Sequence, residues 1–262
     1  MYPTPELSVP TPFIDSHAHY NDRRFDGFID KLLEEQKSLG VKAIINCGCD
    51  FASIDACLAL GKKHDFCYTA VGFHPENLPD GDIDISSLAE IAKREDKVCA
   101  IGEIGLDYYW NDQNKEQQKK ALCDQLDLAK DLNLPAIIHD REAHGDMLSI
   151  LRQHKPKGVV HCFSGSREMA KEVVSLGLYI GVGGVITFKN AKKLIEVVED
   201  TPIERILLET DAPYLAPEPF RGKINHSALI IYVAQKISEI KNISLKKVLE
   251  TTTKNTCELF GI

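Results

Sequence analysis

The sequence predicts an α/β protein with the (β/α)8 or TIM-barrel fold, as a single domain with an additional C-terminal helix. Short apolar runs alternate with amphipathic stretches along the chain, and eight units of roughly 30 residues fit its length of 262 residues. The apolar runs show little polar alternation, which is typical of parallel strands buried on both faces. Imidazole and carboxylate side chains follow several of these runs directly, where the catalytic groups of such barrels lie.

The first twelve residues stand apart from this repeating pattern. They contain four prolines and show no periodicity. We therefore expect an irregular lead-in over residues 1–12 and one barrel domain over residues 13–262, with no linker inside it. The eight predicted strands are Phe13–His19, Ala43–Cys49, Tyr68–His74, Val98–Asp107, Pro135–Asp140, Gly158–Phe163, Tyr179–Ile186 and Ile206–Asp211.

Amphipathic stretches between and after these strands predict the helices. In Lys115–Leu132, for example, Leu122, Leu126 and Ala129 recur at helical spacing among polar residues. A doubly wound open sheet is the alternative arrangement, but it does not gather strands one, four, five, six and eight around one point as readily. The other predicted helices are Phe28–Leu39, Ser53–His64, Ile85–Arg94, Glu142–His154, Arg167–Leu176, Ala191–Val198, His226–Ile240 and Leu245–Phe260.

Composition and charge narrow the functional classes. Hydrophobic residues make up 44% and charged residues 27% of the chain, as in a globular protein with a sizeable core. The net charge of −8 argues against non-specific coating of DNA. It does not exclude an enzyme of nucleic acids, because bound cations add local positive charge. No apolar run approaches the roughly 20 residues that a membrane span needs, so we expect no membrane partner.

Eight cysteines lie mostly within apolar segments, and no CxxC pair is present. Cys47-Gly48-Cys49 can in principle bind a metal, but buried thiols on a strand are the favoured interpretation. Without a signal peptide, the even cysteine count does not indicate disulfides. We therefore expect a reducing compartment and a cytoplasmic protein, as a monomer or a weak oligomer.

Six candidate metal ligands each stand at the end of a predicted strand. The first strand carries an HxH pair, whose imidazoles point to one side because side chains alternate with a period of two. A structural role is the alternative for several of them taken singly, but their shared position favours one metal centre. Imidazole and carboxylate ligands suit divalent transition metals, and carboxylate also suits Mg²⁺. The six candidates are His17, His19, Glu103, His139, His161 and Asp211.

Two of these ligands are also predicted to be catalytic. Glu103 lies between glycines at the end of an apolar strand, where a carboxylate is costly unless it is paired or metal-bound. Its two oxygens allow it to bridge two cations. Asp211 is interpreted as a ligand or as the general base for an activated water. Asp15 and Glu209 are interpreted as supporting residues, and Asp107 as part of the site or a cap of the following turn.

Three further side chains are predicted to contact the substrate. His74 ends the third strand, Arg141 lies two residues past His139, and Arg221 lies in the long loop after strand eight. The planar guanidinium group of arginine suits phosphate. No Walker-type or GxGxxG motif indicates a nucleotide-binding loop.

With these residues in place, the chain resembles the TatD family of metal-dependent deoxyribonucleases, within the amidohydrolase-like barrels. The matching motifs extend from strand one to strand eight in the family's order, and as a set they are highly specific. They are Phe13-Ile14-Asp15-Ser16-His17-Ala18-His19, Val71-Gly72-Phe73-His74-Pro75, Ile101-Gly102-Glu103-Ile104-Gly105-Leu106-Asp107-Tyr108, Ile138-His139-Asp140-Arg141, His161-Cys162-Phe163-Ser164-Gly165 and Glu209-Thr210-Asp211-Ala212-Pro213-Tyr214-Leu215.

The resemblance implies a site for two divalent cations. The oxygen ligands favour Mg²⁺ or Mn²⁺, with Zn²⁺ as an alternative at the histidine-rich position. The resemblance also implies that the HxH pair and Asp211 hold one cation and that the histidines ending strands five and six hold the other. Glu103 then bridges them, where many related barrels use a carboxylated lysine. One departure is His226-Ser227 where the family often has Glu-Pro. This departure concerns substrate contacts after strand eight and not the metal site.

The expected activity is hydrolysis of phosphodiester bonds in DNA by a metal-activated water. An acidic exterior around a barrel mouth suits a single-stranded end better than a duplex interior, so an exonuclease is favoured. A hydrolase of carboxylic esters or amides, such as an aminoacyl-tRNA deacylase, is the alternative, because fold and metals do not fix the substrate. A non-catalytic metal-stabilised scaffold is disfavoured, because structural metal sites are normally closed and rich in thiolates.

Overall fold

A computed structural model describes residues 2–5 and 11–262; residues 1 and 6–10 of the predicted lead-in lie outside the described residues. Eight parallel strands lie side by side in chain order. Each strand is followed by at least one helix, which confirms the predicted (β/α)8 barrel. The strands are β1 Phe13–Ala18, β2 Val41–Cys47, β3 Cys67–Val71, β4 Val98–Asp107, β5 Ala136–Arg141, β6 Gly158–Val160, β7 Tyr179–Val182 and β8 Ile206–Leu208.

The helices surround this sheet, and the last one is the predicted additional C-terminal helix. Strand residues and the end of that helix, at Leu259 and Phe260, share a small apolar cluster. This cluster includes Ile137 and Val159, each two residues before a predicted ligand, so it lies on the amino-terminal side of the ligands. The helices are α1 Ile29–Ser38, α2 Phe51–Lys63, α3 Ile85–Arg94, α4 Lys115–Asp131, α5 His144–His154, α6 Arg167–Ser175, α7 Lys192–Asp200, α8 Ile230–Lys241 and α9 Leu245–Phe260.

Five predicted strands are longer than the observed ones, and the difference matters for the site. β1 ends at Ala18, one residue earlier than the sequence predicts, and β3 ends at Val71, three residues before the predicted end at His74. β6 ends at Val160 and β8 at Leu208, three residues earlier than the sequence predicts in each case. Left-handed backbone conformations follow at Cys162 (φ 43°) and Asp211 (φ 58°), which turn the chain out of the sheet. β7 ends at Val182 and is followed by a 3₁₀ turn. Two ligands therefore stand on the turns just beyond their strands.

The first and last strands are joined at the end where the ligands lie. The amide N–H of His19 donates to the carbonyl of Ala212 over 2.7 Å, and that of Asp211 donates to the carbonyl of His17 over 3.0 Å. A bridge between Ala18 and Ala212 continues the parallel pairing. Closure of the barrel therefore brings the HxH pair and Asp211 together, although they are nearly 200 residues apart in sequence.

A buried carboxylate reinforces this closure. Asp15 is fully buried and accepts hydrogen bonds from the hydroxyls of Thr210 (2.6 Å) and Ser227 (2.7 Å). It also accepts the amide N–H groups of Thr210 (3.0 Å) and His17 (3.3 Å). Burial raises the pKa of this carboxyl to about 6, although the hydrogen bonds act in the opposite direction. Asp15 thus holds the backbone next to the predicted ligands His17 and Asp211 in place, which agrees with its predicted supporting role.

Because Asp15 joins β1 to the segment after β8, we expect Asp15→Ala to lower the free energy of unfolding by about 3 kcal/mol or more. The change leaves several buried donors without an acceptor. Chemical denaturation of the metal-free protein measures the effect. Asp84→Ala is a suitable control, because Asp84 caps the exposed start of α3 and its loss should lower the free energy of unfolding much less. Equal stabilities of the two variants would contradict this role of Asp15.

No helix among residues 2–5 and 11–262 combines the length and the apolar character that crossing a bilayer requires.

Candidate metal centre

The six predicted ligands meet at one point, with Glu103 between them. One oxygen of Glu103, Oε2, lies 3.3 Å from Nε2 of both His17 and His19. The other oxygen, Oε1, lies 2.7 Å from Nε2 of His161 and 2.9 Å from Nδ1 of His139. Each oxygen of this carboxylate therefore faces its own pair of imidazoles.

Asp211 completes the first of these two groups. Its Oδ1 lies 3.4 Å from Nε2 of His19 and 3.6 Å from Nε2 of His17. The ligand atoms of these three residues lie within 4.8 Å of one another, as a shared cation requires. His17, Glu103 and His161 form a second such group. This cluster of histidine, glutamate and aspartate is able to bind metal ions.

The outer nitrogens of the imidazoles have partners that fix which nitrogen carries the proton. Nδ1 of His19 lies 3.1 Å from the carbonyl oxygen of Cys47 and donates its proton there. Nε2 of His139 donates to Asp107 over 3.1 Å. Nδ1 of His17 lies 3.4 Å from the Cys47 thiol. In His19 and His139 the other nitrogen consequently faces Glu103, the orientation in which a metal ion can replace the proton on that nitrogen.

Electrostatics also favour a cation at this position. Burial raises the pKa of Glu103, but the imidazoles of His161, His74 and His17 outweigh burial and hold that pKa well below its usual value. Burial likewise opposes protonation of His139, yet the carboxylates of Asp107 and Glu103 raise its pKa to about 10. The buried carboxylates thus require positive charge nearby, from protons or from metal ions that compete for the same nitrogen atoms.

His74, predicted as a substrate contact, lies beside the cluster with a different proton arrangement. Its Nε2 is 3.4 Å from Oε1 of Glu103, and its Nδ1 accepts the backbone N–H of Glu76 over 3.2 Å. Because Nδ1 accepts, Nε2 of the neutral ring carries the proton. His74 therefore presents a donor, not a lone pair, to the bridging carboxylate and to the open cavity.

A cavity of about 560 Å³ opens above the ligands, and it includes one of the two predicted arginines. Arg141 lines this cavity together with His74. Arg221 does not: its exposed guanidinium stacks on the ring of Phe188, 4.4 Å from the ring centroid. The structure thus brings Arg141 to the predicted site and leaves Arg221 outside it.

The residues that depart from the family pattern lie behind the site. His226 and Ser227 are buried, at 1% and 0% exposure. Nε2 of His226 donates to the carbonyl of Pro3 over 2.6 Å, and its Nδ1 contacts Gln36 at 3.1 Å. This departure consequently changes internal contacts and does not reach the cavity.

Glu209 supports the turn that carries His161. Its Oε1 accepts the backbone N–H of Cys162 over 2.5 Å, and burial raises its pKa well above the usual value. The carboxyl group packs where a side chain of residue 181 would stand, because a Cβ on Gly181 would lie 2.1 Å from Oε2 of Glu209. The sequence interpretation of Glu209 as a supporting residue agrees with this placement.

Other residues of the cavity have no role in the sequence interpretation. Trp110 and Tyr214 line it, as do Asp22 and Cys49. The available signal in the sequence is the placement of aromatic residues in polar loops directly after β4 and β8. Cys49 lies with His19 and Glu103 in another ligand-like group. Burial raises the pKa of its thiol, however, which disfavours the thiolate that binds metals.

We expect Asp107→Ala to weaken metal binding by about 10- to 100-fold, because His139 loses the carboxylate that orients its ring. Titration of the metal-free protein with Mn²⁺, followed by calorimetry, measures this affinity. Asp30→Ala provides a matched control, because Asp30 pairs with His64 at a similar 3.0 Å outside the site. An unchanged affinity in the Asp107 variant would show that the ring needs no such support.

Comparisons with known proteins agree with this geometry. Residues 14–261 match the family described as TatD related DNase. YabD, a metal-dependent hydrolase of Bacillus subtilis, is 40% identical over 252 residues, covering 95% of this chain and 98% of that protein. YcfH, a metal-dependent hydrolase of Escherichia coli K12, is 34% identical over 255 residues, covering 95% and 96% of the two chains.

Solved structures give the same result. The crystal structure of YjjV, a TatD homolog from Escherichia coli K12, is 35% identical and has a TM-score of 0.89 over 95% of this chain and 98% of that one. A TatD family hydrolase from Entamoeba histolytica is 27% identical with a TM-score of 0.85, covering 97% and 99%. The family match, the relatives and the ligand cluster together show that this chain belongs to the TatD family and is a metal-dependent hydrolase.

Proposed function

We propose that this hydrolase cleaves phosphodiester bonds in DNA, as an exonuclease acting on single-stranded ends with two divalent cations. The observation that carries the proposal is the position of Glu103, whose two oxygens face separate groups of imidazoles. A carboxylate between two metal positions is suited to the two-metal sites, about 3.5–4 Å apart, that are common in phosphatases and nucleases.

The donor set fits divalent cations. Glu103 and Asp211 supply oxygen ligands that favour Mg²⁺ or Mn²⁺, while the four imidazoles also suit Zn²⁺. Bound at such a site, divalent cations polarise phosphoryl oxygens and make water more acidic.

Side chains of the cavity accept the proton of the attacking water and bind the phosphate. Asp211 is one-fifth exposed and lines the cavity. Burial raises its pKa, but the hydrogen bond from His19 and the charges of the nearby imidazoles together outweigh burial and keep the pKa below its usual value. Asp211 is therefore ionised at neutral pH and accepts the proton of the attacking water. Arg141 and the protonated Nε2 of His74 donate hydrogen bonds to the phosphate oxygens.

The proposed preference for the end of a DNA strand follows from the net charge of the protein. The chain carries a net charge of −8, so a long duplex gains little from contact with the exterior. The cavity is instead a local pocket with Arg141 at its wall. We place the enzyme in the cytoplasm, as a monomer or a weak oligomer; its eight cysteines are free thiols, as a reducing compartment favours.

One purified preparation tests the proposal against its alternative. Oligonucleotides labelled at the 3′ or the 5′ end, a chromogenic phosphodiester and an aminoacyl ester are each incubated with Mg²⁺, Mn²⁺ or Zn²⁺. We expect metal-dependent shortening of the single-stranded oligonucleotide from one end. Faster hydrolysis of the aminoacyl ester than of any phosphodiester would favour an ester hydrolase.

The two arginines give a matched pair of variants. We expect Arg141→Lys to raise KM for the oligonucleotide about tenfold, because an ammonium group cannot reproduce a bidentate contact to phosphate. Arg221→Lys should leave KM unchanged, because Arg221 lies outside the cavity. Initial rates over a range of oligonucleotide concentrations measure both. A larger rise of KM in the Arg221 variant than in the Arg141 variant would show that Arg221, and not Arg141, binds the substrate.

A further inference from the structure

The large apolar side chains that the structure leaves most exposed are concentrated in two loops beside the metal centre. Among the described residues, four such side chains stand out: Tyr109 (58% exposed), Trp110 (61%), Tyr214 (42%) and Leu215 (36%). Tyr109 and Trp110 lie in the loop after β4, and the other two lie in the loop after β8. Exposed apolar groups gathered at a polar cleft mark an interaction site.

The two loops lie on opposite sides of the mouth. The strands follow one another around the barrel in chain order, so β4 and β8 are four positions apart in a ring of eight. Trp110 from one loop and Tyr214 from the other both line the cavity that contains Glu103 and Asp211. These two aromatic side chains therefore border, from opposite sides of the barrel, the cavity that leads to the metal ligands.

Each loop also pairs its aromatic residue with an arginine. The guanidinium of Arg141 lies 4.1 Å from the ring centroid of Tyr109 and 5.3 Å from that of Trp110. Across the cavity, the guanidinium of Arg24 lies 4.2 Å from the ring centroid of Tyr214. We call the first group the β4 platform (Tyr109, Trp110 and Arg141) and the second the β8 platform (Tyr214 and Arg24).

An aspartate holds the β4 platform in place. Oδ1 of Asp107 accepts the backbone N–H groups of Tyr109 (2.9 Å) and Trp110 (3.0 Å). Its Oδ2 accepts a hydrogen bond from Nε2 of His139 over 3.1 Å. One carboxylate thus fixes a metal ligand and the adjacent aromatic residues in a common frame.

A second aspartate holds the β8 platform in the same manner. Asp22 accepts the hydroxyl of Tyr214 over 3.1 Å and the backbone N–H of Arg24 over 2.8 Å. Both platforms are therefore ordered by the protein itself, which reduces the entropy lost when a ligand binds.

We propose that the β4 and β8 platforms form a clamp in which each platform stacks one unpaired nucleobase, on either side of the phosphodiester that lies at the metal centre. The proposal rests on the proposed function and defines how the strand is held. Aromatic rings and guanidinium planes are the surfaces on which single-stranded nucleic acids stack, with little dependence on base sequence. The arginines in addition offer positive charge to the strand, which an apolar peptide would not need.

This arrangement selects single strands for a physical reason. A base within a duplex has both faces covered by its neighbours, so stacking on Trp110 or Tyr214 requires that it first leave the helix. An unpaired base at a strand end has a free face. The clamp therefore favours single-stranded ends over duplex.

Trp110 allows a direct test because it is the only tryptophan in the chain. Its fluorescence is followed in the metal-loaded protein during titration with short phosphorothioate oligonucleotides, which resist hydrolysis. We expect saturable quenching by single-stranded DNA and weaker binding, by about tenfold or more, of an abasic oligomer with the same backbone charge. Quenching by single-stranded RNA also supports the clamp, since stacking is common to both. Equal affinity for the abasic oligomer, or binding without quenching, would overturn it.

Variants of the β8 platform distinguish a loss of stacking from a general loss of structure, and the fluorescence of Trp110 still reports binding in them. Tyr214→Ala should weaken binding of the single strand about tenfold without changing the affinity for the abasic oligomer. Tyr214→Phe, which keeps the ring, should restore binding. Tyr179→Ala is the control, because it removes a tyrosine paired with Arg205 (5.1 Å) at the start of β7, away from the cavity. Equal loss in Tyr179→Ala, or none in Tyr214→Ala, contradicts the clamp.

A separate hydrolysis assay distinguishes the clamp from the proposed function. Quenching that depends on bases, without cleavage of an unmodified oligonucleotide, supports the clamp and contradicts the phosphodiesterase activity. Cleavage without such quenching supports the activity and overturns the clamp.

Discussion

Glu103→Ala should lower turnover by several orders of magnitude and remove bound metal from both positions. Glu103 is the residue whose two oxygens reach both groups of histidines, at 3.3 Å on one side and 2.7–2.9 Å on the other. Its loss leaves four imidazoles without the anion between them, so each remaining position has fewer ligands and less negative charge. Metal content by elemental analysis and rate are measured on the same sample.

Two further variants make this result specific. Glu103→Gln keeps the size of the side chain but replaces one ligand oxygen with an amide nitrogen that cannot bind a cation, so it should resemble the alanine variant. Glu95→Ala removes a glutamate that pairs with Lys62 (3.0 Å) outside the site, and its activity should remain normal. If Glu103→Ala retained both metals and its rate, the site assignment would be wrong.

The meeting of the six candidate ligands was predictable because it depends on one simple rule of the fold. In a barrel of parallel strands, residues that directly follow apolar strands meet at one mouth, whatever their separation in sequence. His139 and His161 follow such strands, and the pairing of β5 with β6 brings their ring nitrogens to 3.1 Å. Local sequence therefore sufficed for the presence and order of the strands and for the gathering of the six candidate ligands at one mouth.

Loop conformations were harder to predict from the sequence, because they depend on contacts between segments that are distant in the chain. Arg221 and Tyr214 lie in the same long loop, yet one stacks on Phe188 and the other faces the cavity beside Asp22. Nothing in the loop sequence itself distinguishes these directions. The same holds for His74, since its proton position follows from the backbone N–H of Glu76 and not from residue type.

β6 and β8 end earlier than the sequence predicts, for a local physical reason. Cys162 and Asp211 adopt left-handed backbone conformations that non-glycine residues adopt infrequently. Such conformations persist where surrounding contacts impose them, as the bond from Cys162 to Glu209 and that from Asp211 to the carbonyl of His17 do here. Apolar residues continue past the turn after β6, at Cys162 and Phe163, and therefore give no sign of it, whereas polar residues already follow β8 from Glu209 onwards.

Removal of divalent ions by a chelator should abolish hydrolysis, and Mg²⁺ or Mn²⁺ should restore it. Without a cation, protons on the histidines balance the buried carboxylates, as the raised pKa of His139, about 10, indicates. The cluster then stays folded but can no longer make water acidic or bind phosphoryl oxygens. Because metals and protons compete for these nitrogen atoms, metal affinity should fall as the pH is lowered.

Thermal unfolding provides a readout that is independent of substrate. A metal that binds only the folded protein stabilises it by about 2.7 kcal/mol at 100 times its Kd. We therefore expect Tm to rise with added metal in the wild-type protein and in Glu95→Ala, and to change little in Glu103→Ala. Full activity in a demonstrably metal-free preparation would refute the mechanism. A rise of Tm in Glu103→Ala equal to that of wild type would instead place the cation elsewhere, because that variant lacks the carboxylate shared by the two groups of histidines.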